Sequence, residues 1–283
     1  MVGKFPGVLP SPFRLHYYMF QHWSLLRIYS SHSTTLPRFK IDIQYDGSAY
    51  HGWQVQKSDR SIQGELEGAL SILSKGEKIN VIGSGRTDSG VHALQQIAHF
   101  DWNTDMATCD ITPALNGNLP EDIRVMDCAV VPGDFHVRFS AVKRQYVYQC
   151  RTDNFIMDRH IVWKTGKLDV EKLNELALLI MGEHDFTSFS KFNPEVENRV
   201  CTITLSEWSN EGEIVNYRIA ANRFLHHMVR YLVGSMVEVT RKKMTKSEFE
   251  KLLNEPRENV KIFRAPAQGL FLEKVEYNGA DQF

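Results

Sequence analysis

Gly83-Ser84-Gly85-Arg86-Thr87-Asp88-Ser89-Gly90-Val91-His92 is the stretch around which the rest of this chain reads as scaffold and clamp. Three glycines give the backbone access to positive φ and let a bulky ligand come close. Between them stand one cation, one hydroxyl and one carboxylate: Arg86, Thr87 and Asp88. Alternation along an extended segment puts Arg86 and Asp88 on one side, near enough to pair. Taken alone, a cluster of Gly, Ser and Asp is an ordinary solvent turn. It is neither a dinucleotide fingerprint nor a P-loop, since no Lys-Ser/Thr follows the glycines.

Working outward, Phe39-Lys40-Ile41-Asp42-Ile43-Gln44-Tyr45 alternates apolar and polar residues and predicts a half-buried strand, stopped by Asp46-Gly47-Ser48. Tyr50-His51-Gly52-Trp53-Gln54 is an aromatic-rich loop. Ser61 caps a helix whose apolar positions Ile62, Leu66, Ala69, Leu70 and Leu73 keep the helical period. Short strands are expected near 79–82, 97–100 and 123–130, with a short helix near 112–115. The pattern breaks at Pro132-Gly133-Asp134. Beyond it, 144–150 alternates again with Tyr146, Tyr148 and Cys150 on one face. Asp169 caps a helix through Leu173, Leu176 and Ile180 that stops at Gly182, and strands follow at 200–205 and 214–220. Thr245-Lys246-Ser247-Glu248 is a capping box, and 270–277 closes the chain as a strand. The expected division is a leader at 1–38, an α+β domain at 39–137 carrying the Asp88 loop, and a second α+β domain at 138–283.

Residues 222–240 predict one long helix with two faces. Phe224, Met228, Tyr231, Leu232, Ser235 and Val239 share one arc, while Arg223, His227, Arg230 and Gly234 fall opposite. Such a polar face is ordinarily solvated. A glycine inside it, costing about 1 kcal/mol in a helix, is tolerated where a phosphate or another backbone packs close. His226-His227 lacks the spacing of a zinc-binding H-E-x-x-H pair.

The 283 residues carry a net charge of −1, but the charge is uneven. Residues 1–40 hold five of the 33 Lys/Arg and none of the 34 acids, leaving 28 basic against 34 acidic residues, a net of −6. An acidic body opposes general nucleic-acid affinity, so any RNA contact requires a local basic surface. The acid-free, Arg- and Ser-containing leader matches an organelle presequence, which implies a mitochondrial address; a merely disordered tail, with cytoplasmic or nuclear residence, is the alternative. Four scattered cysteines without a C-x-x-C pair fit neither a zinc cluster nor a disulfide framework, and no apolar run is long enough to span a bilayer.

Together these segments resemble the TruA-type tRNA pseudouridine synthases. Residues 45–54, Y-D-G-S-A-Y-H-G-W-Q, are similar to that family's opening strand and loop. Residues 85–92, G-R-T-D-S-G-V-H, resemble its catalytic motif, and 135–141, F-H-V-R-F-S-A, its next segment, followed by an active-site tyrosine at Tyr146. His226-His227-Met228-Val229-Arg230 and Gly269-Leu270 match two later motifs. The resemblance implies two similar sheet-plus-helix domains flanking a central RNA-binding cleft, the pseudouridine synthase fold. It also implies isomerisation of uridine to pseudouridine in RNA, tRNA foremost, after base flipping.

In that scheme Asp88 is the catalytic nucleophile or base and Arg86 fills the space of the flipped base. Tyr146 stacks on uracil, Arg230 holds the carboxylate ionised and aimed, and Leu270 closes the pocket. No metal or other cofactor and no membrane enter the scheme; bacterial members act as homodimers and some eukaryotic relatives as monomers, with a homodimer the expectation for this chain. A catalytically silent RNA-binding or RNA-chaperone protein on the same fold is the competing expectation.

Overall fold

A computed structural model describes residues 36–278; the expected leader lies outside them except for its last three positions. In chain order the elements are β1 (Arg38–Tyr45), α1 (Ile62–Leu73), β2 (Ile82–Gly83), β3 (His92–Asp101), α2 (Thr108–Asn118), β4 (Ile123–Val131), β5 (Ala141–Arg151) and β6 (Trp163–Lys164). There follow α3 (Val170–Leu179), β7 (Gly182–Asp185), β8 (Val200–Glu211), β9 (Ile214–Ala221), α4 (Met228–Thr240), α5 (Lys246–Asn254) and β10 (Leu270–Tyr277). The chain is α+β, as the sequence indicates.

All ten strands join one sheet, with the path β4-β1-β3-β10-β5-β9-β8-β7 and with β2 and β6 attached to β3 and β5. The alternation in β1 does what its period demands: Phe39, Ile41, Ile43 and Tyr45 are buried. Ser61 accepts from the Gly64 amide and Asp169 from that of Lys172, while Thr245 and Glu248 form the reciprocal capping box. Such caps contribute about 1 kcal/mol each.

Neighbours along the path pair antiparallel except at one place. β10 runs parallel to β3, Phe271 opposite His92 and Leu272 opposite Ala93, and antiparallel to β5, Leu270 opposite Tyr148 and Leu272 opposite Tyr146. The last strand is therefore inserted between the strands of the first half and those of the second. The sheet runs unbroken past the division expected at 137/138, and the buried apolar residues form two clusters. One draws on β1, α1, β3, α2 and β4, the other on α3, β8, β9, α4 and α5, and β10 gives Leu272 and Val275 to the first and Leu270 to the second.

Several local expectations differ; β3 begins at His92 and not near 97, and β8 runs on to Glu211. Residues 79–81 are not strand; Ile79 and Val81 are buried, but the Val81 backbone is held by the side chains of Glu67 and Gln63 on α1 rather than by a neighbouring strand. The helix near 112–115 is longer, with Pro113 inside it, because Ile111 and Leu115 bury one face. Asn116 fastens it to β4 by bonds of 2.8 Å to both the amide and carbonyl of Val125. The helix expected from 222 begins only at Met228, and His227 before it has φ 64°, in the left-handed region.

Candidate active site

The parallel pairing of β3 with β10 places the 83–91 stretch, which feeds β3, beside the 267–270 turn that feeds β10. A second loop supports it from behind. Trp53 N–H donates to the Thr87 carbonyl at 3.1 Å and Gly90 N–H to that of Tyr50 at 3.2 Å. Gly52 sits at φ 94°, and a Cβ there would lie 2.6 Å from the Thr87 oxygen, so both its conformation and its closeness exclude a side chain. The aromatic-rich loop and the Asp88 stretch are thus one backbone-to-backbone unit.

Alternation along 86–88 holds. Thr87 turns inward, its hydroxyl 2.8 Å from that of buried Tyr45, while Arg86 and Asp88 face the other way. The expected pairing between those two does not form. Arg86 is exposed, and Asp88 Oδ2 accepts from Arg230 Nη1 at 3.1 Å. Of the three glycines only Gly90 takes positive φ, at 76°, in the turn after Asp88; Gly83 instead lies against the Trp53 ring.

Arg230 wins the carboxylate because it is fixed. It is 8% exposed, its Nε donates to the Ala265 carbonyl at 2.8 Å, and the Ala265 amide donates back to the Arg230 carbonyl at 3.0 Å. Gly234, one turn on, permits this: a Cβ there would stand 2.1 Å from the Phe263 oxygen. The neighbour that the mid-helix glycine calls for is therefore the 263–265 backbone. The stripe expected as a phosphate- or carboxylate-facing wall lines the cleft with Arg223, His227 and Arg230, and Arg230 and His227 face the Asp88 carboxylate; it is not a solvated helix face, since Arg223 and His227 precede the helix and Arg230 and Gly234 are buried.

Two histidines complete the surroundings of Asp88. His226 Nε2 lies 3.5 Å from Oδ1 and His227 Nε2 3.5 Å from Oδ2. Arg264 Nη1 donates to His227 Nδ1 at 2.7 Å. The same nitrogen lies 3.3 Å from His227 Nε2, so the guanidinium covers the side of the ring away from Asp88. Burial first, then the charges of His226, Arg264 and Arg230, bring His227 down to about 4, so the ring is neutral at pH 7. Asp88, His226 and His227 are close enough to be weighed as a metal-ligand set. With the guanidiniums of Arg230 and Arg264 alongside, the set is poorly suited to a further cation.

Tyr146 on β5 is half-buried and packs edge-on against Phe224, ring centroids 5.1 Å apart. Burial, followed by the charge of Asp88, raises its phenol well above the usual tyrosine range. Leu270 is buried at the start of β10. Arg86, Asp88, Tyr146, Arg230 and Leu270, separated by as much as the span of the chain's two halves, all line one cleft of about 930 Å³. Its walls carry six arginines and one lysine and a single carboxylate, that of Asp88. The acidic body therefore encloses a basic cleft, the local surface that RNA binding requires.

The sequence offers Arg144 as a cation beside Tyr146 but not as the brace it is. It donates to four carbonyls: Ala141 at 3.0 Å, Asn222 at 2.9 Å, Ser84 at 3.2 Å and Arg138 at 2.7 Å. One guanidinium thus ties the Asp88 stretch to the end of β9 and to the turn before β5. Its only sequence signal is its place two residues before Tyr146, on the facing side of the strand. Arg264 had no signal beyond standing alone before Ala265-Pro266.

A profile of the tRNA pseudouridine synthase family matches residues 42–140 and 176–278. The chain belongs to that family. It is 40% identical over 248 residues to tRNA pseudouridine synthase A of Maricaulis maris, covering 86% of this chain and 99% of that one. It is 38% identical over 243 residues to that of Anoxybacillus flavithermus, covering 85% and 99%, and 40% identical over 240 residues to that of Chlorobaculum tepidum, covering 84% and 97%. The profile's two segments contain four of the five residues singled out from the sequence; Tyr146 falls between them, on β5.

Proposed function

We propose that this protein isomerises uridine to pseudouridine in tRNA, with Asp88 as the catalytic group. The observation that carries the reading is the single carboxylate of a basic cleft, ion-paired to a buried arginine and faced by a tyrosine and a leucine, in a member of this family.

The chemistry breaks the bond between N1 of uracil and C1′ of ribose and forms one between C5 and C1′. C5 loses a proton, N1 gains one, and no electrons enter or leave. A uracil stacked in a helix cannot reach Asp88, so the nucleotide is flipped into the cleft and exposed Arg86 takes its place against the phosphates. Asp88 acts as nucleophile or as base toward the sugar. Arg230, anchored on Ala265, keeps the carboxylate aimed, and the His227 ring faces the same oxygen. Tyr146 lies under the uracil ring. Because its phenol stays protonated near neutrality, its hydroxyl accepts the C5 proton only while passing on its own. Leu270 helps to exclude water from an intermediate that water would capture.

The same proposal takes 39–137 and 138–283 as the two halves about the cleft, residues 1–38 as a mitochondrial presequence, and the active form as a homodimer. The acid-free composition of the leader supports the second point. A fluorescent fusion of residues 1–38 that stays diffuse in the cytosol refutes the address, and a monomer by light scattering refutes the dimer.

The deciding experiment follows tritium released from C5 of uridine in a tRNA transcript. Wild type releases it, and Asp88→Asn releases none while binding RNA within about tenfold of wild type, since affinity is spread over many cations. Turnover by Asp88→Asn refutes the role of Asp88. Binding without turnover by wild type hands the protein to the silent RNA-binding reading.

A further inference from the structure

Phe139 is 79% exposed, the most exposed large apolar side chain among the described residues. Single exposed apolar residues are common and mean nothing alone. Three further observations separate this one from the rest. It lines the same cleft as Asp88, its ring lies beside a guanidinium that has no carboxylate partner among the described residues, and its backbone is fastened by hydrogen bonds around His136.

The turn between β4 and β5 is built around His136. The Ser140 amide donates to the His136 carbonyl at 2.8 Å, and the His136 amide to Ser140 Oγ at 3.1 Å. The amides of Arg138 and Phe139 both point at His136 Nδ1, at 3.2 and 3.4 Å. Tyr277 Oη donates to the carbonyl of Val137, which is fully buried, so the turn is rooted in the interior one residue before it presents Arg138 and Phe139 outward. Arg144 then donates to the Arg138 carbonyl and the Ser84 carbonyl from one nitrogen, at 2.7 and 3.2 Å. The tip is thereby tied through one side chain to the strand end that leads into the Asp88 stretch. On the tip itself the Phe139 ring leans against His136, centroids 4.3 Å apart, and Arg138 Cζ stands 5.9 Å from the ring centre.

A fixed aromatic face with an adjoining unpaired cation, on the wall of a basic cleft, has the chemistry of a single-stranded base subsite: the ring stacks on the base and the guanidinium meets the neighbouring phosphate. We propose that Phe139 and Arg138 form a stacking subsite for an unpaired nucleobase of the RNA strand that also supplies the uridine to Asp88. The proposal rests on the reading of the cleft as an RNA site and extends it to a second nucleotide. Because the tip and the Asp88 stretch share Arg144, a base stacked here sets how the strand is presented to the catalytic group.

The test uses the full chain, an end-labelled unmodified tRNA transcript, and the variants Phe139→Ala, Phe139→Leu, Phe139→Trp and Arg138→Ala. Phe139→Ala binds about tenfold more weakly, equal to about 1.4 kcal/mol, with the slope of log affinity against log salt unchanged. Phe139→Leu is as weak, because it keeps apolar area but has no π-face, and Phe139→Trp binds at least as well as wild type. Arg138→Ala makes the salt slope shallower by about one. Unchanged affinity in Phe139→Ala, or rescue by leucine equal to that by tryptophan, overturns the subsite and leaves the catalytic reading standing. A wild-type protein that does not bind the transcript overturns both.

Discussion

Replacing Arg230 by leucine isolates what the ion pair does. Nη1 stands 3.1 Å from Asp88 Oδ2, with the two side chains 10% and 16% exposed. At an effective dielectric of about 20, opposite unit charges at that separation attract by about 5 kcal/mol. Desolvation offsets part of this, and removing one partner of a buried pair costs about 3–5 kcal/mol. Were about 4 kcal/mol of this expressed at the transition state, turnover would fall about a thousandfold. The leucine also forfeits the bond to the Ala265 carbonyl, so the 263–265 segment loosens and thermal stability drops as well. RNA affinity changes by less than tenfold, because the cleft keeps its other cations. The assay is single-turnover tritium release at saturating enzyme, on protein whose folding is verified by circular dichroism. Arg230→Lys keeps a charge, but one ammonium cannot serve both Asp88 and Ala265, so its rate falls between wild type and leucine. A folded Arg230→Leu enzyme with a near-normal single-turnover rate refutes the claim that this guanidinium aims the carboxylate.

Tyr146→Phe retains the ring and its packing on Phe224, so RNA affinity holds while tritium release fails if the hydroxyl relays the C5 proton; unchanged release reduces Tyr146 to a platform. Gly234→Ala destabilises the fold, although alanine is the better helix former by about 1 kcal/mol. Its Cβ would meet the Phe263 oxygen at 2.1 Å, and overpacking against backbone costs about 1–3 kcal/mol, which a lowered urea midpoint would reveal. Acid should also weaken the protein. Burial brings His99 and His227 from 6.5 down to about 4 and lowers His92 and His226, so these rings take up protons more readily unfolded than folded. Their contribution is complete above about pH 6.5 and fades as the pH falls toward 4; denaturation midpoints that are flat across that window would contradict it.

Periodic segments were legible in the sequence because their period is set locally. β1 and β10 fall within one residue of where alternation puts them, and the caps at Ser61, Asp169 and Thr245 are where the side-chain chemistry requires. What was not legible depends on distant partners. Residues 222–227 keep a helical pattern, yet His227 goes left-handed where Arg264 and Asp88 hold its ring from either side. Arg86 and Asp88 alternate as they should, but the charge Asp88 takes as partner comes from a helix far along the chain. The candidate residues were found by motif, and only the parallel pairing of β3 and β10 explains why those motifs meet. The role of Arg144 as a brace, with four backbone acceptors and no carboxylate, offers no pattern to find.

The position of β10 has a consequence for how the enzyme is made. On the ribosome the first half emerges long before residues 270–277, and until they arrive the His92–Ala93 end of β3 lacks its neighbour on the edge away from β1, since β2 covers only His99 and Ala98 there. An unpaired edge is a template for wrong pairings, and contacts this distant along a chain close slowly. The Asp88 stretch, which leads directly into that edge, therefore acquires its final surroundings among the last events of folding. A nascent chain can expose the whole 83–92 motif and still have no site, so chemistry on RNA is withheld until synthesis has delivered the strand that joins the halves.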